Sequence, residues 1–287
     1  MQTVRCVLPI AAELGEGPVW ADGALWFVDI DRKQIHRCDP ERGTTQSWNA
    51  PGKVSFVLPR RGGGFVVGLP GRLARFSPAP GTFEEIVALE TAWPDNRTND
   101  ACVDGAGRLW FGTMDDRETA ASGVLYCWDG TGAPVSRDEG YVISNGPAFS
   151  PDRRTFYHTD TQRRTIHRFD VADDGSLSNK RGFIVIDGKD GWPDGTTVDS
   201  QGCLWIALYG GKAVRRYAPD GELLACVPMP CEQVTKVTFG GPDLKTAYVT
   251  TARRKLDAGA LAKQPLAGAL FAFEAPAAGL AQTAIAF

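Results

Sequence analysis

Histidine and methionine are scarce in this 287-residue chain, with three of each. A serine–histidine–aspartate triad would have only His36, His158 and His167 to draw on, and no G-x-S-x-G elbow is present to expose a nucleophilic serine. His158, inside Tyr157-His-Thr-Asp160, reads as a core histidine of a strand. The seven cysteines (Cys6, Cys38, Cys102, Cys127, Cys203, Cys226, Cys231) are odd in number and dispersed, without a C-x-x-C pair. That excludes a disulfide framework and a zinc knuckle, and leaves reduced, mostly buried thiols. Basic residues are not in surplus: 31 Lys and Arg face 34 Asp and Glu, a net charge of −3. The basic residues are also scattered, so no patch exists to hold a nucleic-acid backbone, and no nucleic-acid partner is expected. No apolar run approaches the ~20 residues that span a bilayer. Met1 to Leu14 also lacks the charged and apolar regions of a signal peptide. The expectation is a cytoplasmic protein with no membrane partner. Helical periodicity is missing too, except over Lys255 to Ala262, and the glycines at 62–64 lack the strand–helix context of a phosphate loop.

What the chain does contain is a repeat. An apolar fraction of 43% and eight tryptophans mark a compact fold. Six segments share a turn followed by aromatic and β-branched residues: Asp22-Gly-Ala-Leu-Trp-Phe-Val28, Gly62-Gly-Gly-Phe-Val-Val67, Gly105-Ala-Gly-Arg-Leu-Trp-Phe111, Asp152-Arg-Arg-Thr-Phe-Tyr157, Ser200-Gln-Gly-Cys-Leu-Trp-Ile206 and Asp243-Leu-Lys-Thr-Ala-Tyr-Val249. Aligned on Leu25, Phe65, Leu109, Phe156, Leu204 and Ala247, they recur at intervals of 40, 44, 47, 48 and 43 residues. A period of that length with four strands per unit is the propeller period. Alternating runs such as Gln34-Ile-His-Arg-Cys38 and Thr165-Ile-His-Arg-Phe169 supply half-buried outer strands. The pattern predicts an all-β chain, a six-bladed β-propeller with four-stranded antiparallel blades, forming one domain over residues 1–287. An N-terminal strand over Thr3–Leu8 would close the ring by pairing into the last blade near Gly268–Ala275. Trp26, Trp110 and Trp205 share one repeat position and are expected to pack the blades.

The polar residues repeat as well. Glu16 lies 9 residues before Leu25, Asn99 lies 10 before Leu109, Asn145 lies 11 before Phe156 and Asp194 lies 10 before Leu204. Equivalent positions in successive blades converge on the axis, so these four side chains are expected to meet. Two carboxylates and two amides offer oxygen donors only, which suits Ca2+, Mg2+ or Mn2+ and tolerates Zn2+ or Fe2+. Without a cation, Glu16 and Asp194 would repel each other at close range, which favours metal binding or a raised pKa. Taken singly, Leu14-Gly-Glu-Gly-Pro18, Ser144-Asn-Gly-Pro147 and Pro193-Asp-Gly195 fit tight turns entering inner strands.

Together with Asn96-Arg-Thr-Asn-Asp100, Gly107-Arg-Leu-Trp-Phe-Gly-Thr-Met114 and Phe239-Gly-Gly-Pro-Asp-Leu-Lys-Thr246, these motifs make the chain resemble the SMP-30/gluconolactonase/LRE family over nearly its whole length. The resemblance implies a six-bladed propeller that hydrolyses a sugar lactone such as xylonolactone or gluconolactone. It implies one divalent metal ion (Ca, Zn, Mn, Mg or Fe(II)) held by Glu16, Asn145 and Asp194. Arg97 and Asn99 match the family's pair that holds the substrate near the metal, and Asp115-Asp-Arg-Glu118 falls where the family has a substrate-covering loop. Asp194 is the candidate general base. The alternative for Arg97 is a surface salt bridge with Asp95 or Asp100. Trp93 and Trp192 precede two of the motifs and are candidates for the pocket rim. The expected partner is a small-molecule sugar lactone, and the expected state a monomer or weak oligomer. Two other readings stay open at this point: a hydrolase of phosphotriesters or other lactones on the same scaffold, and a non-enzymatic metal- or protein-binding propeller.

Overall fold

A computed structural model of the chain describes residues 3–287. Six four-stranded antiparallel sheets surround a central channel, each with its strands in sequence order from the axis outwards except the last. The innermost strands are Gly15–Ala21, Val57–Pro59, Asn96–Val103, Ser144–Phe149, Trp192–Val198 and Val234–Gly240. The repeated aromatic runs form the second strand of each blade, and every one of these strands is largely buried. Fourth strands, such as Thr44–Asn49 and Leu177–Val185, lie mostly in solvent. In the last blade the fourth strand is Arg5–Leu8, which pairs antiparallel with Leu270–Glu274. One blade is thus built from both ends of the chain, and the ring has no open seam.

The blade cores explain the tryptophans. Trp110 and Trp205 are fully buried, and each donates its Nε1–H to an aspartate six residues earlier, Asp104 and Asp199, at 2.9 Å. The other oxygen of each aspartate accepts two backbone N–H groups of the hairpin between them. One carboxylate therefore ties a turn, a tryptophan and an arginine, Arg108 or Arg216. In the first blade the position six before Trp26 is Trp20, which stacks on Tyr248 instead, and Trp26 Nε1 has no partner among the described residues.

His158 is buried between Tyr141 and Phe156, with Nε2 at 3.0 Å from Ser144 Oγ and, among the described residues, no partner for Nδ1. No third group among those residues orients it, so the pair is part of the core. The helix expected over Lys255–Ala262 spans Ala258–Lys263, because Asp257 caps it by accepting from Ala260 N. Two motifs differ from expectation more deeply. Asn145-Gly146 and Asp194-Gly195 are not turns entering the inner strands but lie within them, at β-bulges between Asn145 and Ala148 and between Pro193 and Thr196. Glu16-Gly17 sits in the same way between Glu16 and Val19. An extra residue at a bulge re-aims the side chain before it, here towards the axis. No helix among the described residues is long and apolar enough to cross a membrane.

Two stability predictions follow from this core. Asp199→Ala leaves the buried Arg216 guanidinium and the Trp205 N–H without their shared acceptor, and should cost about 3–5 kcal/mol in chemical denaturation. Burial lowers His36 to about 4 and His158 to about 3, so both stay neutral in the fold while the unfolded chain takes up protons near pH 6.5. Their stabilisation is complete above that value and is lost as pH falls towards 3–4. A His36→Gln/His158→Gln pair should therefore show a shallower loss of urea midpoint between pH 7 and 5 than the parent chain.

Candidate active site

At one end of the channel a cavity of about 320 Å3 is lined by Glu16, Arg97, Asn99, Asn145 and Asp194, contributed by four of the six inner strands. The four residues that share a register in the sequence do meet. All are buried, with Glu16 and Asp194 only 7% and 8% exposed. Burial, reinforced by the neighbouring carboxylate of Asp100, pushes Glu16 up to about 7. Burial and then the charge of Glu16 push Asp194 well above the usual carboxylate range. Among the described residues the Glu16 carboxylate accepts one hydrogen bond, from Gly17 N at 2.7 Å, and Asp194 accepts none.

The amides are fixed more tightly. Asn145 donates Nδ2 to Thr161 Oγ1 at 3.0 Å, and that hydroxyl donates to Pro193 O at 2.8 Å, the residue before Asp194. Asn145 Oδ1 accepts from Asn99 Nδ2 at 2.7 Å and keeps a second lone pair. Asn99 spends its other amide hydrogen on Ser144 O and accepts Arg97 Nη1 at 2.6 Å on its own Oδ1. Both Asn99 hydrogens are therefore committed within the protein, and what it has left for a ligand is one lone pair. Arg97 is buried rather than on the surface. It pairs neither with Asp95, which faces Arg117, nor with Asp100, but with Asp116 through Nε at 2.9 Å. Its Nη1 is also bonded to Thr98 O, which leaves Nη2 for the cavity.

Charge pairs tie the loop over the mouth. Asp115 accepts the backbone N–H groups of Arg117, Thr119 and Ala120, and so shapes the loop. Asp116 joins Arg97 and Lys53 at the first of its ties, and Glu118 joins Arg254 and Lys255. Glu118 lines the cavity, as does Trp192, which carries the Arg164 guanidinium at 4.6 Å on its ring. Trp93 does not: it lies in a separate surface depression with Pro94 and Asp95.

Sequence reasoning missed the pair directly beneath. Lys236 and Asp100 form a buried ion pair in the channel. The signal was available, since Lys236 lies 11 residues before Ala247 and so shares the register of the four site residues, as does Ser55, 10 before Phe65. Ser55 hydrogen-bonds to Thr98 Oγ1 and does not line the cavity.

Close packing at the axis explains the glycines. Gly146 has φ +51°, and a Cβ on it would stand 2.7 Å from Thr196. A Cβ on Gly195 would stand 2.4 Å from Lys236 Cγ. The residues after Asn145 and Asp194 have no space for a side chain, and Gly17, after Glu16, takes a positive φ of +53° with a Cβ position 3.1 Å from Ser55 O. Among the described residues no group of three or more His, Cys, Asp or Glu gathers to hold a metal. The candidate donor set is different in kind, two carboxylates and an amide oxygen, and its chemistry fits a hard divalent cation. A pair of buried, repelling carboxylates with few hydrogen bonds is costly without a positive charge.

These features define a six-bladed propeller with an oxygen-lined acidic site at one end of its axis. The chain belongs to the SMP-30/Gluconolactonase/LRE-like family, whose model matches residues 14–253. It is 34% identical over 286 residues to a 6-deoxy-6-sulfogluconolactonase of Pseudomonas putida, covering 98% of both chains. It is 36% identical over 285 residues to the pentonolactonase XacC of Haloferax volcanii, covering 96% of both. Among solved structures, regucalcin of Agrobacterium tumefaciens, described as a calcium-binding protein, superposes with a TM-score of 0.95 at 28% identity over 100% of this chain and 98% of its own.

The frustrated carboxylates yield a test of the site before any substrate is known. In chelator-treated protein at pH 7.5, Glu16→Gln removes one member of the repelling pair and should raise Tm by about 2–4 °C, roughly 1 kcal/mol. Ca2+ or Mn2+ should raise the Tm of the parent, and the same variant should lose that increase. A metal-free Tm equal to or below the parent's would contradict the electrostatic account.

Proposed function

We propose that the protein hydrolyses a sugar lactone to the free aldonic acid, with one divalent cation held by Glu16, Asn145 and Asp194. The observation that carries this reading is the convergence of those three side chains in a cavity that also presents Arg97, with Asp194 free of hydrogen bonds. The lactonase names of full-length relatives support the reaction class. The calcium-binding description of the structural relative supports the cation.

Ester opening needs a polarised carbonyl, an activated water and a home for the oxyanion. A divalent cation supplies Lewis acidity to the carbonyl oxygen and lowers the pKa of water. Asp194 has one carboxylate oxygen available to take the proton from the attacking water, and it returns that proton to the ring oxygen as the C–O bond breaks. Arg97 Nη2 donates to the carbonyl oxygen as negative charge develops there. Its aim is held by Asp116 on Nε and by Asn99 on Nη1. Asn99 acts mainly through others: it orients Arg97 and turns the oxygen of Asn145 towards the cavity. Arg97, the half-exposed Trp192 and the charged rim favour a hydroxylated substrate over a plain alkyl ester.

The experiment is proton release from xylonolactone and gluconolactone, with chelator-stripped protein reloaded with Ca2+, Mn2+, Mg2+, Zn2+ or Fe2+. Acidification above the spontaneous rate should require a cation, and Asp194→Ala should abolish it. Arg97→Ala should lower kcat/KM about 10²-fold while binding of the cation persists. No acceleration with any lactone or metal, despite stoichiometric cation binding, would refute the lactonase reading.

A further inference from the structure

The geometry points to Lys236 as the residue that offsets Asp100 beneath the axial site, so that the two ligand carboxylates Glu16 and Asp194 present −2 to one divalent cation. This inference rests on the cation reading given under Proposed function and assigns a role to a residue outside the ligand set.

Lys236 is 8% exposed and its partner Asp100 3%, so neither charge is screened by bulk water. Their position follows from what they touch. Asp100 Oδ2 accepts Gly146 N at 2.9 Å, and Gly146 follows Asn145. The Lys236 side chain lies across Gly195, which follows Asp194. Both residues line a small second cavity of about 110 Å3, on the far side of the site, together with Gly17, which follows Glu16. The ion pair thus abuts the residues after Asn145 and Asp194, shares a cavity with the residue after Glu16, and forms the floor of the site.

With a cation bound and both ligand carboxylates ionised, the charged groups at the level of the ligands and floor are three carboxylates, Glu16, Asp194 and Asp100, and one ammonium, Lys236. Arg97 and its partner Asp116 stand at the mouth with Lys53, Arg254, Lys255, Asp31 and Glu118, a set that is the same in every variant below and cancels when variants are compared. Charges there are screened by water and salt. Without Lys236 the floor would add a third uncompensated negative charge and the site would favour a trivalent ion. Without Asp100 the uncompensated ammonium would face the incoming cation from below. Oxygen sites for hard cations tune their affinity by the number of charges they present, and a neighbouring fixed charge acts in the same way.

The test compares Ca2+ with Tb3+, ions of similar size and different charge, by isothermal titration of the full chelator-stripped chain. Lys236→Gln takes the site to −3 and should raise the preference for Tb3+ over Ca2+ about tenfold or more. Asp100→Asn takes it to −1 and should lower that preference by a similar factor. The double variant restores −2, leaves a neutral hydrogen-bonding pair in place of the ion pair, and should return the ratio to the parent's. Damage to packing would weaken both ions together and leave the ratio unmoved. A ratio within about twofold of the parent in both single variants would overturn the role of Lys236 while leaving the lactonase reading intact. Failure of the parent chain to bind either ion would overturn the cation site and this inference with it.

Discussion

Six inner strands share one axis, and the space between them does not admit a side chain at every position. This crowding governs the rest of the structure. Where the strands come closest, glycine follows two of the polar residues that reach the axis, Asn145 and Asp194: Gly146 presses on Thr196, and Gly195 on Lys236. The same positions carry bulges, which turn the preceding Asn145 and Asp194 onto the axis. Packing therefore selects both the residue that reaches inwards and the small residue beside it, and the site is a product of how the ring closes.

The second consequence is electrostatic. Closing the ring drives Glu16 and Asp194 out of water with little hydrogen bonding to compensate, and the fold retains that cost at one end of the channel. Elsewhere the chain treats buried carboxylates differently. Asp104 and Asp199 are saturated by backbone, tryptophan and arginine donors, and they stabilise their blades. The contrast separates structural acids from acids left free to hold a ligand. Lys236 and Asp100 stand between the two classes, paired with each other yet placed where their charges act on the site.

The scaffold and the mouth have different physical origins. Blades rest on repeated strand pairing and aromatic packing, which many activities can share. The mouth depends on ion pairs within and between blades: Asp116 joins Arg97 of its own blade to Lys53 of a neighbouring loop, and Glu118 joins Arg254 and Lys255 of the last blade. Those loops border the opening that leads to Asp194, and their ion pairs are separate from the strand pairing that holds the ring.

Much of this was readable from the amino-acid order. The period of the aromatic runs determined the blade number, since each run is a buried second strand whose neighbours are local in sequence. The common register of Glu16, Asn99, Asn145 and Asp194 foretold their meeting, because equivalent positions in a ring converge. The tryptophans at the shared repeat position proved to be core, and the N-terminal strand did pair into the last blade. Other relations were decided only in three dimensions. Asn-Gly and Asp-Gly look alike in a surface turn and in a bulge, and only the neighbouring strand tells them apart. The partner of Arg97 is Asp116 and not the sequence-adjacent Asp95 or Asp100, because the loop after the next strand folds back over the channel. Lys236 meets Asp100 across 136 residues of chain. Sequence by itself determined what recurs, since repetition is local and periodic; tertiary structure decided which unlike groups from different blades touch, since that depends on the closure of the ring.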